Sequence, residues 1–318
     1  MANNDGGTMG DTAIRQVFVT GATGFVGRHF QALIETQRDW RMIAAPHDFD
    51  LRDAGRIERA LGALDRPPDA VLHLAAQSNV PQAFADPEAT FDTNFLGTLR
   101  LLRALKHSGF EGRFLFVGTA DAYGLVPDDE LPVNENRPLR PRNPYAVSKA
   151  AAEALVYQWS QTEGLDAIMV RPFNHIGPGQ DERFAVGGFA RQVAEIALGR
   201  RKAEIEVGDI EVTRDFTDVR DVVRAYLGLL LQGERGHVYN VGSGAEERLG
   251  DILSRLISLA NIQARVITDP RRMRPAEQRR MRADVRALRE RTGWHPAYSF
   301  ERTLGDILEY WKETLTNE

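Results

Sequence analysis

The chain has 318 residues, 42% of them hydrophobic and 27% charged, and a formal net charge of −5. These proportions are typical of a globular protein and exclude a disordered chain or a fibrous repeat. The absence of cysteine excludes a disulfide scaffold, a thiolate metal centre and a cysteine nucleophile. The acidic charge argues against general nucleic-acid binding. Because no apolar run approaches about 18 residues and the first residues do not resemble a signal peptide, we expect no membrane segment and a cytoplasmic location.

Short apolar runs alternate with helical patterns along the first half of the chain. Residues 1–12 are polar and glycine-rich, and we predict a flexible tail there. Strands are predicted at residues 16–20, 41–45, 70–74, 113–118 and 166–170, with helices at about 26–34, 54–64, 88–108 and 144–162. Strands that alternate with long helices indicate a doubly wound parallel sheet covered by helices on both faces, an α/β fold.

Three glycines follow the first predicted strand at intervals of three residues: Gly21, Gly24 and Gly27. Glycines at such a turn allow the backbone to approach a pyrophosphate and the next helix to pack on the sheet, while that helix's N-terminus attracts the anion. We therefore predict a Rossmann domain that binds a dinucleotide. No acidic residue for the adenosine ribose stands clearly at the end of the second strand, although Asp48 and Asp50 follow, so NAD and NADP remain equally open.

After residue 175 the regular alternation stops. Shorter strands are predicted at 203–207 and 236–241, and residues 271–291 are rich in arginine. We expect the dinucleotide-binding domain to span residues 13–175 and a smaller C-terminal α/β substrate lobe to occupy mainly 176–318. Segments from about 210–245 could return to the first domain.

A Tyr-x-x-x-Lys pattern lies in the predicted helix 144–162. Tyr145 and Lys149 are four residues apart and would share one helix face. A neighbouring ammonium lowers a tyrosine pKa from about 10, which suits a group that transfers a proton at a carbonyl or alcohol. Thr119, directly after the fourth strand, could hold the oxygen of the substrate. These three residues are the predicted catalytic group.

Six motifs occur together in the order found in one family. They are TGATGFVG at 20–27, HLAAQS at 73–78, NFLGT at 94–98, GTADAYG at 118–124, the Tyr145 and Lys149 pattern, and RPFN at 171–174. On these motifs the chain resembles the extended short-chain dehydrogenase/reductases over residues 15–312. The resemblance implies a Rossmann domain, NADPH or NADH as cofactor, a nucleotide-sugar substrate and a homodimer.

The resemblance also assigns roles to individual residues. It places the cofactor against Gly21, Thr23, Gly24, Phe25, Val26, Gly27, Asp50, Leu51, Leu74, Ala75, Ala76, Asn94, Val117, Tyr145, Lys149, Pro172 and His175. It places the substrate against Ser78, Thr119, Asp121, Asn174, Arg214, Arg274 and Glu277. No histidines show metal-ligand spacing, and we predict no metal.

Three longer segments, at 174–180, 208–216 and 272–280, resemble the branch of this family that reduces a GDP-linked 4-keto-6-deoxy sugar. The sister branch dehydrates GDP-mannose with a glutamate two residues after the active-site threonine. Asp121 occupies that position here, and its carboxylate would fall roughly 1–1.5 Å short, an error that can cost on the order of 100-fold in rate. We therefore expect a reductase. A dehydratase or epimerase is the alternative, and a non-catalytic dinucleotide-binding protein is a third.

Overall fold

The computed structural model describes residues 14–270 and 278–318. The strands are β1 (Arg15–Thr20), β2 (Trp40–Ala44), β3 (Ala70–His73), β4 (Arg113–Val117), β5 (Asp166–Pro172), β6 (Asn174–Ile176), β7 (Glu204–Val207), β8 (Thr213–Arg214), β9 (Phe216–Asp218), β10 (Val238–Val241), β11 (Glu247–Arg248) and β12 (Arg265–Thr268). The helices are α1 (Phe25–Glu35), α2 (Ala54–Gly62), α3 (Val80–Ala85), α4 (Pro87–Phe91), α5 (Gly97–His107), α6 (Pro144–Thr162), α7 (Ala185–Ala197), α8 (Val219–Gln232), α9 (Leu249–Leu259), α10 (Arg286–Thr292) and α11 (Phe300–Thr316).

Six parallel strands form the central sheet in the order β10-β5-β4-β3-β1-β2. All four residues of β3 are buried, as expected for a strand covered on both faces. One face packs against α1 and α8 through Phe30, Ile34 and Tyr226, and the other against α2, α5 and α6 through Ile57, Leu101 and Val156. The predicted doubly wound Rossmann fold is confirmed.

The second half of the chain contributes to both parts of the molecule. Strand β10 pairs with β5 at one edge of the central sheet, and α8 covers one of its faces. A separate apolar core joins α7, α9 and α11 with β7, using Val193, Ile205, Leu253 and Ile307. Small strand pairs β7–β12, β8–β11 and β6–β9 complete this lobe.

The predicted continuous helix at 88–108 is wrong in one respect. Residues Asp92–Leu96 form a π-helical turn between α4 and α5. The strand predicted at 236–241 is shorter in the structure, where β10 begins at Val238. The predicted tail 1–12 lies outside the described residues. No helix in residues 14–270 and 278–318 is both long and apolar enough to cross a membrane.

Candidate active site

The glycine-rich turn lies between β1 and α1. Gly21 has a φ of +72°, and a Cβ there would stand 2.8 Å from the Ala75 amide nitrogen. A Cβ on Gly27 would lie 2.4 Å from the Ala22 carbonyl oxygen, so the first turn of α1 packs directly on the loop. Gly24 is the N-cap and supplies no side-chain hydrogen bond to the helix. This end of α1 therefore presents backbone amides that suit a pyrophosphate.

The residues after β3 lie against this turn. The Ala75 amide donates a hydrogen bond of 3.1 Å to the Thr20 hydroxyl, and that hydroxyl is 2.7 Å from Nδ1 of His73. The predicted cofactor residues at 74–76 thus share one edge of the sheet with Gly21. Burial lowers the pKa of His73 to about 3, so His73 is a neutral structural residue at this edge.

Asp50 and Leu51 follow β2 and differ in their surroundings. Leu51 is buried, and a Cβ on Gly97 would meet it at 2.7 Å. Asp50 accepts hydrogen bonds from Arg52, with Nη2 at 2.7 Å from the carboxylate. These hydrogen bonds lower the pKa of Asp50 to about 2. Asp50 is therefore an ionised, half-buried carboxylate that is already paired with Arg52.

His175 lies beside the start of α1. Its ring stacks on Phe25 with centroids 6.0 Å apart and planes 10° from parallel, and its Nδ1 is 3.1 Å from the Phe173 carbonyl oxygen. Val117 and Pro172 lie at the ends of the adjacent strands β4 and β5. Asn174 begins β6 and is exposed. Residues 172–175 thus lie at the C-terminal end of β5 and the start of β6.

Asn94 occupies the π-helical turn and joins three segments. Its side chain accepts a 2.8 Å hydrogen bond from the Gln77 amide and donates to the Gln77 carbonyl and to the Ser148 hydroxyl, each at 2.9 Å. The Ser148 hydroxyl in turn donates to the Tyr145 carbonyl at 2.7 Å. Sequence reasoning named Asn94 but missed Gln77 and Ser148, which bind the turn to the start of α6. π-helical turns are frequent at functional sites.

Tyr145 and Thr119 meet at the C-terminal edge of the sheet. Burial, reinforced by the charge of Asp121, raises the pKa of Tyr145 to about 12, against the opposing effect of a hydrogen bond from the Thr119 hydroxyl. The expected lowering of the Tyr145 pKa by Lys149 is therefore wrong for the chain without ligands. The physical reason is that loss of solvation disfavours the phenolate more than neighbouring groups favour it. Tyr145 is a protonated phenol here.

Lys149 lies one turn after Tyr145 on α6 and is buried. Its Nζ is 4.4 Å from the centroid of the Phe116 ring. Burial lowers the pKa of Lys149 to about 7, and the charge of Glu153 opposes that shift. Within the part of the chain that the structure describes, no carboxylate is in ion-pair distance of this ammonium. Its hydrogen-bonding capacity is therefore available to a ligand.

The charges of Asp121 and Arg214 interact, and each stabilises the other. Loss of solvation raises the pKa of Asp121, although part of its side chain stays accessible, and Arg214 opposes the shift. The Arg214 guanidinium donates to the carbonyls of Thr213 at 2.7 Å and Gln278 at 3.0 Å. The Gln278 amide group also pairs with the backbone of Val126. Arg214 lies in β8, and its hydrogen bond to the Gln278 carbonyl holds the segment that begins at residue 278.

The remaining predicted substrate residues besides Asn174 are Ser78, Arg274 and Glu277. Ser78 is exposed at the start of the segment before α3. Arg274 and Glu277 lie outside the described residues. The structure therefore brings together Thr119, Tyr145, Lys149, Asp121 and Arg214. A protonated phenol beside a hydroxyl and a buried ammonium can donate a proton to a carbonyl oxygen.

Comparison with known proteins agrees with this geometry. The family model described as GDP-mannose 4,6 dehydratase matches residues 41–307. GDP-6-deoxy-D-mannose reductase of Pseudomonas aeruginosa is 46% identical over 305 residues, covering 96% of this chain and 99% of the relative. GDP-mannose 4,6-dehydratase of Yersinia enterocolitica is 29% identical, covering 83% of this chain and 78% of that protein.

Solved structures show the same relationship. The structure of RMD from Pseudomonas aeruginosa complexed with NADPH has a TM-score of 0.89 at 46% identity, covering 94% of this chain and 99% of that one. UDP-glucose 4-epimerase of Thermotoga maritima with UDP-glucose has a TM-score of 0.84 at 27% identity, covering 94% and 99%. The chain therefore belongs to the GDP-mannose 4,6 dehydratase family of extended short-chain dehydrogenase/reductases.

Proposed function

We propose that this chain reduces the C4 ketone of GDP-4-keto-6-deoxy-D-mannose to GDP-6-deoxy-D-mannose (GDP-D-rhamnose), with a nicotinamide dinucleotide as reductant. The observation that carries the proposal is Tyr145, a protonated phenol hydrogen-bonded by Thr119 and one helical turn from Lys149. This arrangement supports proton donation to a carbonyl oxygen. The 46% identity to the Pseudomonas aeruginosa reductase over 96% of the chain supports the identity of the sugar.

Thr119, Tyr145 and Lys149 have distinct roles in this proposal. Thr119 and Tyr145 hydrogen-bond the C4 carbonyl oxygen, and Tyr145 transfers its proton to that oxygen as the alkoxide forms. The Lys149 ammonium then stabilises the phenolate that remains, since an opposite charge favours the ionised form. Lys149 also has free donors for ribose hydroxyls. Pro172 and His175 are proposed cofactor contacts and Asn174 a proposed substrate contact, while the buried Asn94 holds Gln77 and Ser148 in place.

The residues present fit a dinucleotide. The close approaches at Gly21 and Gly27 let the turn pack tightly against Ala75 and against the first turn of α1, and the amides of Thr23, Phe25 and Val26 lie at or next to the start of that helix, where a pyrophosphate would bind. Leu51 and residues 74–76 would border the adenosine, and Val117, Pro172 and His175 the nicotinamide. When bound, the reduced nicotinamide supplies the hydride. The Pseudomonas aeruginosa RMD structure contains NADPH, and we propose NADPH as a cofactor here, with NADH also open.

The nucleotide end of the substrate would meet Arg214. A guanidinium fork suits a diphosphate, and Arg214 is already oriented by the carbonyls of Thr213 and Gln278. Ser78 and Asn174 are exposed, and we propose that they contact the sugar. Arg274 and Glu277 keep their proposed roles as ligands of the diphosphate and of the ribose hydroxyls.

Dehydration of GDP-mannose is the less suitable reaction for this site. Asp121 carries the only carboxylate in the segment after Thr119, residues 120–124, and desolvation raises its pKa. Its side chain is one methylene shorter than the glutamate that the dehydratases use. The lower identity to the Yersinia enterocolitica dehydratase, 29%, favours the same choice.

A homodimer and a cytoplasmic location complete the proposal. Neighbouring helices α3 and α6 expose Phe84 and Tyr157, which are 63% and 50% accessible. The homodimer is proposed from the family resemblance, and these exposed side chains are candidate contacts in it. Sedimentation analysis of the purified chain tests the dimer.

Two incubations test the function. In the first, the protein receives the 4-keto-6-deoxy derivative of GDP-mannose and NADPH, and in the second it receives GDP-mannose and oxidised cofactor. We expect cofactor oxidation only in the first. Turnover of GDP-mannose would favour the dehydratase, and inertness in both would favour a binding protein.

A further inference from the structure

A buried ion pair joins the helix that carries Lys149, α6, to strand β5 of the sheet. Glu153 is one helical turn after Lys149 on α6, and Arg171 comes from β5. Arg171 Nε donates to Glu153 Oε2 at 3.0 Å, and Nη2 donates to Oε1 at 2.6 Å. Both residues are buried, with exposed fractions of 7% and 6%. This bidentate geometry fixes the orientation of both side chains.

The arginine is held independently of Glu153. Its Nη1 donates to the Tyr123 hydroxyl and to the Glu135 carbonyl, each at 3.0 Å. The Tyr123 hydroxyl donates to Asn240 Oδ1 at 2.6 Å. Arg171 is therefore tied to the segment after β4 and, through Tyr123, to β10. If Glu153 moved toward Lys149, Arg171 could follow it only by breaking these hydrogen bonds.

The carboxylate is also confined. A Cβ on Gly118 would be 3.2 Å from Glu153 Oε2 and 2.8 Å from the Val170 carbonyl oxygen. Glu153 thus lies against the backbone that leads directly into Thr119. Its i, i+4 spacing puts it on the same helix face as Lys149. Arg171 therefore binds a carboxylate that shares its helix face with the ammonium.

The other charged groups around Lys149 are few. Tyr145 on the same helix is a neutral phenol, and His73 on β3 is neutral, with a pKa of about 3. Asp121, from the segment after β4, acts on Tyr145. Glu153 raises the pKa of Lys149 against the larger effect of burial. Glu153, which Arg171 binds, is therefore the carboxylate whose charge acts on Lys149.

We propose that Glu153 is a positioning residue for the reduction, which keeps Lys149 charged, and that Arg171 weakens this attraction so that the ammonium stays free for its ligand. An unpaired glutamate at this position would draw the ammonium into an ion pair and away from Tyr145. Without the glutamate, burial would leave the amine uncharged. The inference rests on the proposed function, because in that function the charge of Lys149 stabilises the Tyr145 phenolate.

The charge of Lys149 can be measured directly. The chain has four lysines, so a sample labelled at lysine 13Cε gives four NMR signals, and Lys149→Arg identifies the one from Lys149. In the cofactor-free protein we expect Glu153→Gln to lower the titration midpoint of Lys149 by about one pH unit and Arg171→Gln to raise it. Glu153→Asp keeps the negative charge, so the titration midpoint of Lys149 in this variant should lie close to that of the wild type. Glu163→Gln is the matched control, since Glu163 pairs with Lys106, and it should leave Lys149 unchanged.

The sign of the Glu153→Gln shift is decisive. If the pair were only structural, its loss would admit water and raise the Lys149 midpoint in every variant. An upward or absent shift in Glu153→Gln would therefore overturn the inference. If a single variant does not fold, the neutral pair Glu153→Gln with Arg171→Gln replaces it; the inference predicts a lower midpoint there too, and an unchanged or higher one contradicts it.

The pH profile of ketone reduction gives the second readout. Since Lys149 must be charged, the alkaline limb of kcat should move to lower pH in Glu153→Gln and to higher pH in Arg171→Gln. The two proposals fail separately. If the wild-type enzyme reduces the keto sugar but the Lys149 midpoint does not change in the variants, the inference is wrong and the proposed function stands. If the wild-type enzyme is inert but the Lys149 midpoint shifts as expected, only the proposed function is wrong.

Discussion

The ammonium of Lys149 lies 4.4 Å from the centre of the Phe116 ring, in a site that burial makes unfavourable for charge. The aromatic face offers a weak attraction to the cation, and Glu153 offers a longer-range one. Neither restores the solvation that the ammonium loses. The cofactor-free protein therefore carries a destabilising residue in its active site, as is common where a group must act on a ligand.

Replacement of this lysine should stabilise the cofactor-free protein. The Lys149 pKa falls from its ordinary 10.5 to about 7. Between these pH values the unfolded chain holds a proton that the folded chain has lost. The destabilisation of the folded state by Lys149 is therefore present in full below pH 7. Lys149→Met should raise the free energy of unfolding at pH 7 by on the order of 3 kcal/mol. The gain should shrink as pH rises toward 10. Urea unfolding at pH 7 and pH 9.5 measures it, and a less stable variant at pH 7 would contradict this account.

Loss of the Tyr145 hydroxyl should remove the proton donor. Tyr145→Phe keeps the ring and should lower kcat for ketone reduction by about 100- to 10,000-fold with little change in KM. Tyr157→Phe is the matched control, because Tyr157 lies on the same helix and is half exposed. Steady-state kinetics with the keto sugar measure kcat and KM for both variants. Full activity in Tyr145→Phe would remove this residue from the mechanism.

A methyl group at Gly27 should damage the dinucleotide site. Its Cβ would lie 2.4 Å from the Ala22 carbonyl oxygen, so the loop or α1 must shift, at a cost of about 1–3 kcal/mol in stability. We expect at least a ~10-fold weaker affinity for NADPH, since a displacement of the loop removes amides from the phosphate. Gly305→Ala is the control: nothing lies within 4 Å of that position in α11, and the change should stabilise by about 0.5–1 kcal/mol. Fluorescence titration with NADPH compares the two, and equal affinity would argue against the site.

His73 should make the fold sensitive to acid. Its pKa falls from 6.5 to about 3, so between these values the unfolded chain binds a proton that the folded chain does not. Stability is therefore lost as pH falls through this window. The free energy of unfolding of the wild type should fall more steeply than that of His73→Asn, by up to about 1.4 kcal/mol per pH unit. His47→Asn is the control, because it removes an exposed histidine and is measured under the same conditions. Equal slopes for all three proteins would contradict the assignment.

The sequence pattern was sufficient for the sheet, the glycine turn and the shared helix face of Tyr145 and Lys149, because each depends on neighbours in the chain. The π-helical turn at Asn94 was not predictable, since it depends on the contacts of one side chain with Gln77 and Ser148. The raised pKa of Tyr145 was also missed, because spacing reveals the nearby lysine but not the burial that outweighs it.

Longer-range pairings were equally hidden. Glu153 and Arg171 each belong to ordinary helix and strand patterns, and only the packing of α6 on β5 makes them partners. Arg214 could be named as a cation for a diphosphate, but its bonds to the carbonyls of Thr213 and Gln278 depend on the tertiary fold.

The central claim is that this chain reduces a 4-keto sugar linked to GDP, and the most direct test is the decrease in NADPH absorbance. Purified protein is mixed with NADPH and GDP-4-keto-6-deoxy-D-mannose, and the product is analysed by mass spectrometry. The account predicts stoichiometric oxidation of NADPH and a product two mass units heavier than the keto sugar. Unchanged absorbance with an intact keto sugar would contradict it.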